Sequence, residues 1–235
     1  MKKTLIILPS IFLIFNAVVY FGNDLLRHFE NDKPSQSIGT TKDGKLVNGK
    51  RLPTKGKNFV TCSRLSCLLG RNSVNNLVQE AILESYDSVF KLVPQITFVY
   101  GETSWPHGGR LWPHKTHENG LSVDFFVPVK NKNGKPVAFP TSVLNEFGYG
   151  VAFDSLGSNE NLTIDFEAMA MHLYCLGKAA NHQGLKIEVV IFDNQLQTLL
   201  LNTKYGQMIK DSMRFSTLKP WVRHDQHYHV DFAVL

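Results

Sequence analysis

Residues 108–127 read GGRLWPHKTHENGLSVDFFV, and this stretch decides what fold the chain can adopt. Its last residues are apolar and rich in valine and phenylalanine, which predicts that Asp124 lies on a strand. Gly120 precedes that strand and permits a tight turn, so His117 can fold back beside the carboxylate of Asp124. The stretch therefore predicts a strand that carries a histidine–carboxylate pair.

A second histidine-rich segment lies near the C-terminus, where residues 224–232 read HDQHYHVDF. Polar and apolar side chains alternate here, which predicts a strand with His227, His229 and Asp231 on one face. If the two strands lie side by side, His229 reaches the same point as His117 and Asp124. His227 then lies one strand step away.

Neutral imidazole and carboxylate are the usual ligands of a catalytic zinc ion, which takes three protein groups and leaves one position for water. Each motif alone is weak, because histidines two apart also occur on solvated strands. Together they predict a metal site, with His227 as a base that is not itself a ligand, as metal-assisted hydrolysis requires. These ligand types also accept divalent ions other than zinc.

The two segments resemble the penicillin-insensitive murein endopeptidases, which belong to a group of zinc peptidases that includes lysostaphin, D-Ala-D-Ala peptidases and the hedgehog signalling domain. The resemblance rests on Gly-Gly-Arg followed by His-x2-His-x2-Gly-Leu-x-Val-Asp, and on His-x2-His-x-His. It implies that zinc is held by the ligands His117, Asp124 and His229. It also implies that His227 is the catalytic base or transition-state partner, and that two further histidines line the site, namely His114 and His224.

The resemblance implies a substrate as well: peptide cross-links of bacterial peptidoglycan, most typically the bond between D-alanine and meso-diaminopimelate. Arg110 is a candidate for holding a substrate carboxylate, which a planar guanidinium suits well, although a surface role is equally compatible with its loop. The chain departs from the family pattern at Ser122, where an acidic residue is usual. It also has only three cysteines, where the family tends to have several disulfides.

Other functions remain open on the sequence. The enzyme can instead be an L,D-endopeptidase or a D,D-carboxypeptidase acting on stem peptides, and it can serve a larger envelope machine such as a secretion apparatus. A second class is a non-catalytic module that binds the cell wall through a structural metal site. An open ligand set with an adjacent histidine argues against that class, because structural zinc sites are normally closed by a fourth ligand.

The N-terminus predicts export. Lys2 and Lys3 precede residues 4–22, which carry no charge and are mostly apolar. Such a segment is either a signal peptide or an anchor, and we favour an uncleaved anchor because no small-x-small cleavage site ends it. The remainder of the chain is then periplasmic and held at the inner membrane by residues 4–22.

Composition divides the chain into three parts: the membrane segment at 1–22, a flexible basic linker at 23–57, and a zinc peptidase domain at 58–235. Lysine and arginine are concentrated in the second part among proline, glycine, serine and threonine, which is typical of a tether. The net charge of +5 is modest. No basic patch with interleaved aromatic residues occurs in the domain, so the sequence does not indicate a nucleic-acid partner.

Helical and strand periodicities in the domain predict an α+β fold with a small central antiparallel sheet and flanking helices. The resemblance implies that this fold is of the hedgehog and D-Ala-D-Ala peptidase type. Asn133-Gly134 predicts a hairpin turn, and a last helix is predicted at about 194–209. Cys62 and Cys67 are near enough in sequence to pair, Cys175 can pair with either, and spacing does not choose between these possibilities.

Overall fold

The computed structural model describes residues 2–218 and 222–235, with side chains from residue 9 onward. It is a mixed α+β fold with small sheets and flanking helices, which confirms the predicted fold class. The helices are α1 Lys2–Arg27, α2 Arg64–Leu69, α3 Asn76–Leu92, α4 Phe166–His182, α5 Gln197–Leu201 and α6 Gly206–Ser212, with a short 3-10 segment at Val143–Gly148. The strands are β1 Gln36–Gly39, β2 Gly44–Val47, β3 Lys50–Arg51, β4 Phe59–Thr61, β5 Ser73–Val74, β6 Phe98–Tyr100, β7 Ser122–Phe126, β8 Val129–Asn131, β9 Pro136–Val137, β10 Leu162–Ile164, β11 Leu185–Ile191 and β12 His227–Val234.

The central sheet has five strands in the order β11-β12-β7-β6-β4. Its neighbours are antiparallel, except that β4 and β6 run parallel. The two histidine-rich segments form the centre of this sheet, because β12 pairs with β7 in a register that sets His229 opposite Asp124. Residues directly opposite each other on an antiparallel pair point to the same face. The register therefore brings the predicted metal ligands together.

Helices α3 and α4 pack against each other on one face of the sheet and cover an aromatic core. His172 of α4 lies at its centre, with the rings of Tyr86, Phe98 and Phe125 between 5.0 and 5.2 Å from its own. Its Nδ1 accepts a hydrogen bond of 2.6 Å from the hydroxyl of Tyr228. His172 is thus a packed core residue.

The stretch predicted as a flexible linker, residues 23–57, is part of the folded domain. Strands β1 and β2 form a hairpin, and β3 pairs with β5. Leu46 and Leu52 are 2% and 1% exposed, so each fills a site in the interior. The prediction failed because the apolar residues here are few and separated by charged ones, and a polar composition conceals isolated core contacts.

The predicted helix at 194–209 is also different in the structure, which has two short helices in its place, α5 and α6. The chain turns sharply at Gly206, where a Cβ would lie 2.1 Å from the carbonyl oxygen of Leu201. Such an approach requires glycine and interrupts a continuous helix. The hairpin at Asn133-Gly134 is present as predicted, with a φ of +72° at Gly134 between β8 and β9.

Helix α1 contains a segment, Pro9–Arg27, that is long and apolar enough to cross a membrane. Only 6% of this window is buried against the rest of the protein. By length and composition the helix is consistent with either a signal or a membrane segment. The predicted flanking charges, Lys2 and Lys3, lie outside the described side chains.

Candidate metal centre

Four imidazole rings surround the buried carboxylate of Asp124, in the middle of β7. His229 Nδ1 lies 2.9 Å and His117 Nε2 3.3 Å from its Oδ1. His114 Nδ1 lies 3.7 Å and His227 Nε2 3.9 Å from its Oδ2. The structure thus brings together all the residues that the sequence predicted as ligands and base.

Local backbone geometry sets the position of His117. This residue has a φ of +74°, and Gly120, at the start of the turn into β7, has a φ of +76°. A left-handed conformation is unfavourable for a histidine and persists only where its surroundings enforce it. The strained backbone at His117 therefore indicates that the surrounding structure holds its side chain in a fixed direction, toward Asp124.

His117 supplies the observation that tests whether a cation fits. Its Nδ1 donates to the carbonyl oxygen of Thr103, so the proton resides on Nδ1 and a lone pair remains on Nε2. That Nε2 is buried and has no hydrogen-bond partner, although it faces Asp124. Burial lowers the pKa of His117, so the ring is neutral at pH 7. Two electron-rich atoms that face each other in the interior fit a cation bound between them.

His229 is held between two carboxylates. Its Nε2 lies 2.9 Å from Asp231 Oδ1, and Asp231 also accepts a hydrogen bond from the hydroxyl of Ser122. Burial acts to lower the pKa of His229, but Asp231 and Asp124 outweigh it and raise that pKa to about 10. With no cation the ring therefore carries a proton toward Asp124, and a metal ion would displace that proton, as ligand sites generally require.

His114 is fixed from behind by a residue that the sequence analysis missed. Its Nε2 lies 2.8 Å from Glu102 Oε2, and Arg71 donates twice to the same carboxylate. Tyr149 adds a further unpredicted contact, since its hydroxyl donates to Asp124 Oδ2 at 3.0 Å and accepts from the backbone N–H of Glu102. Glu102 lies just after β6, and an acidic residue at the end of a buried strand is the only feature of the sequence that could have indicated its role. No feature of the sequence around Tyr149 indicates that it contacts the site.

Two ligand sets share His117 and Asp124 and differ in the third residue. The donor atoms of His114, His117 and Asp124 lie within 4.8 Å of one another, so this group could hold a metal ion. The sequence instead predicted His229. Each of the two rings has a carboxylate on its second nitrogen, but the side chain of His114 is 16% exposed and that of His229 is 4% exposed. We favour His229 as the ligand and assign His114 to the cleft wall, because the more exposed ring is the one that a substrate can contact.

His227 and His224 lie side by side, with ring centroids 4.5 Å apart. Burial lowers the pKa of His227 to about 3 against the opposing effect of Asp124, and its Nδ1 has no hydrogen-bond partner. His227 is therefore neutral at pH 7 and has a nitrogen free to accept a proton. His224 donates from Nδ1 to the carbonyl oxygen of Val222 at 2.8 Å, because a carbonyl oxygen can only accept.

A cleft of about 1020 Å³ is lined by Asp124 and by four of the histidines, namely His114, His224, His227 and His229. Such a volume is at the upper end of what ligand pockets enclose, so an extended or branched ligand fits it. The predicted carboxylate-binding residue, Arg110, is exposed and is not among the residues that line the cleft. Two other arginines line it in its place, Arg71 and Arg223. Arg110 lies in a loop, and the sequence of that loop does not indicate whether its side chains point toward the cleft or away from it.

The cysteines are Cys62, Cys67 and Cys175, and each is a buried free thiol. Cys62 contributes to one end of the cleft, and burial raises the pKa of its thiol. A protonated thiol is a poor nucleophile, which agrees with the prediction that the chemistry belongs to the histidines.

Comparison with known proteins adds one finding. A family model described as penicillin-insensitive murein endopeptidase matches residues 37–234, which is most of the chain. The match includes both histidine-rich segments and begins inside β1, in the stretch that had been predicted to be a linker. A search of the curated proteins finds no match.

Proposed function

Since this chain belongs to the penicillin-insensitive murein endopeptidase family and is therefore a peptidoglycan hydrolase, we propose that it is a zinc-dependent enzyme that cuts peptide cross-links of the D-alanyl–meso-diaminopimelate type. The observation that carries the metal dependence is the buried lone pair of His117 Nε2 facing the carboxylate of Asp124. The proposed ligands are His117, Asp124 and His229.

A zinc ion in such a site supplies Lewis acidity, which lowers the pKa of a water molecule to about 7. The protein's own residues do the rest. His227 accepts the proton of the attacking water, because its ring is neutral and its Nε2 faces the site, 3.9 Å from Asp124 Oδ2. His114 is held by Glu102 through Nε2 and presents Nδ1 to the same point, so its ring lines the position of the reacting carbonyl group.

The size of the cleft supports an endopeptidase over a carboxypeptidase. A cross-linked substrate places a peptide on both sides of the scissile bond, and a cleft of about 1020 Å³ has room for both. Arg223 is placed to meet a substrate carboxylate. It lies at the cleft wall, and Asp193 and the carbonyl of Phe153 hold its guanidinium at 2.7 Å each.

A wall hydrolase works in the cell envelope, and we propose that this one is periplasmic and anchored in the inner membrane by residues 4–22. The apolar helix α1 supports the anchor. Service to a larger envelope machine is compatible with an anchored hydrolase, and a pull-down from membranes with the full chain as bait tests it.

The decisive experiment uses the full chain in detergent with diaminopimelate-type peptidoglycan, with and without a chelator, and identifies the products by mass. Conversion of cross-linked dimers to monomers, abolished by the chelator and by His227→Ala, supports the proposal. His182→Ala is the matched control, because His182 is exposed and, within the described part of the chain, is hydrogen-bonded to Glu84 and to its neighbour Gln183.

Three other outcomes select other functions. Loss of a terminal D-alanine alone indicates a carboxypeptidase. Cleavage of dimers joined between two diaminopimelate residues indicates an L,D-endopeptidase. Dimers that persist at full metal occupancy indicate a wall-binding module.

A further inference from the structure

The apolar helix α1 does not end in a loose connection; its last turns are built into the folded domain. Asn23, directly after the uncharged segment, is 0% exposed. Its amide donates to the carbonyl of Leu52, and its oxygen accepts from Asn72 and from Arg51. An asparagine with every polar atom satisfied in the interior is a specific contact, because each such atom would be costly to bury alone.

The following residues extend this attachment. Asp24 accepts from both the backbone N–H and the hydroxyl of Thr54, at 3.3 and 2.9 Å. Arg27 donates to the carbonyl of Arg51, and the backbone N–H of Arg51 donates to Glu30. A helix held in this way over two turns cannot pivot at its junction with the domain.

Helix α2 lies against the same part of α1. A Cβ at Gly22 would lie 2.6 Å from Leu68 Cδ1, so the absence of a side chain at Gly22 permits close contact between the two helices. Arg64 of α2 donates to the carbonyl of Tyr20 and lies 4.0 Å from the centre of its ring. Aromatic and arginine side chains of this kind are typical of the interface between membrane and water.

Helix α2 carries two exposed leucines beside this contact. Leu65 is 39% and Leu69 60% exposed, and at positions i and i+4 they lie on one side of the helix, next to the side that holds Leu68. Both leucines are close to Gly22, the last residue of the uncharged part of α1, because their neighbour Leu68 contacts it. An apolar surface continuous with a membrane helix is expected to be covered by lipid.

We infer that α1 is retained in the mature protein and that α2 rests on the outer surface of the inner membrane, with Leu65 and Leu69 in contact with lipid. This rests on the proposed membrane anchor and is independent of the proposed chemistry. A neighbouring side of α2 faces the cleft, which Ser66 lines. The cleft then opens within about one helix diameter, roughly 10–12 Å, of the lipid surface. Its substrates are accordingly wall peptides that reach the membrane surface.

The test uses the full chain in vesicles of phosphatidylethanolamine and phosphatidylglycerol whose acyl chains carry bromine. A cysteine at position 65 or 69 (Leu65→Cys, Leu69→Cys) is labelled with an environment-sensitive fluorophore, since the native cysteines are buried. Leu235→Cys is the matched control, an exposed leucine beside the opposite edge of the central sheet. We expect the bromolipids to quench the label at 65 and 69 and to leave it unchanged at 235.

A flexible glycine–serine spacer inserted after Phe21 provides the second variant. It leaves the contacts of Asn23 intact but detaches the domain from the membrane helix, so quenching at 65 and 69 is expected to fall. Quenching absent from the parent, or unaltered by the spacer, overturns the inference, as does a mature protein in cells that lacks α1. The measurement needs no catalysis: a protein that is quenched but inactive leaves this inference standing and refutes the proposed enzyme instead.

Discussion

The substitution Asp231→Asn is the sharpest test of how the candidate centre holds a metal. Asp231 does not face the ion position; it accepts from His229 Nε2 at 2.9 Å and so fixes the ring that presents Nδ1 to Asp124. Asparagine keeps the shape but removes the charge. Loss of a carboxylate behind a metal-binding histidine typically lowers metal affinity 10- to 100-fold, which corresponds to about 1.4–2.8 kcal/mol.

Ser122→Ala gives a graded comparison. The hydroxyl of Ser122 donates to the same oxygen of Asp231, so its removal takes away one hydrogen bond and leaves the charge. A hydrogen bond to a charged group contributes about 1.5–3 kcal/mol, but this one acts on the metal only through Asp231, so we expect a smaller loss of metal affinity than for Asp231→Asn. Glu188→Gln, at a half-buried position on β11, is the control that leaves affinity unchanged.

The assay is a competition titration of zinc between the full chain in detergent and a chromophoric chelator at fixed pH. Circular dichroism first establishes that each variant is folded. The reasoning fails if Asp231→Asn binds zinc as tightly as the parent. It also fails if Ser122→Ala loses as much affinity as Asp231→Asn, because the charge of Asp231 would then have no part in the effect.

Three further predictions concern stability and substrate binding. Burial lowers the pKa of His172 to about 3, so below pH 6.5 the unfolded chain binds a proton that the folded chain does not. Acid should therefore reduce the free energy of unfolding by up to about 1.4 kcal/mol per pH unit below pH 6.5. Urea titrations across pH check this, and His172→Gln should make the free energy of unfolding less dependent on pH. Gly120→Ala should destabilise the fold by about 1–3 kcal/mol in urea, because φ is +76° and the new Cβ would lie 2.8 Å from Leu46 Cδ2. Arg223→Ala should raise KM for cross-linked muropeptides while Arg110→Ala leaves it unchanged, and the reverse result would restore Arg110 as the carboxylate-binding residue.

The parts of the site that the sequence predicted are those that short-range patterns specify. Alternation along 227–231 and the apolar run after Asp124 define two strands, and only one register of those strands brings the histidines to the carboxylate. Glu102 and Tyr149 reach the site from other loops, and no spacing along the chain relates them to Asp124. Their roles depend on tertiary packing.

Residues 23–57, predicted to be a flexible linker, show why composition alone can fail to identify a folded segment. Residues such as Asn23 and Thr54 are fully buried and polar, and a sequence reading assigns polar residues to solvent. Their burial is stable because each has a partner elsewhere in the chain, which composition cannot reveal. The apolar pattern that indicates the membrane segment therefore does not indicate that the residues directly after it belong to the folded domain.

The shape of the centre favours catalysis over a purely structural metal site. His117 is fully buried, whereas His114, Asp124, His227 and His229 line the cleft. A structural site is closed by its fourth ligand, whereas this group opens on the cleft, where the ring of His114 is 16% exposed. Helix α2 forms another part of the same wall while it contacts α1. The proposed metal ligands and the residues that contact helix α1 thus border one cleft, so the proposed anchor would determine where the cleft can meet its substrate.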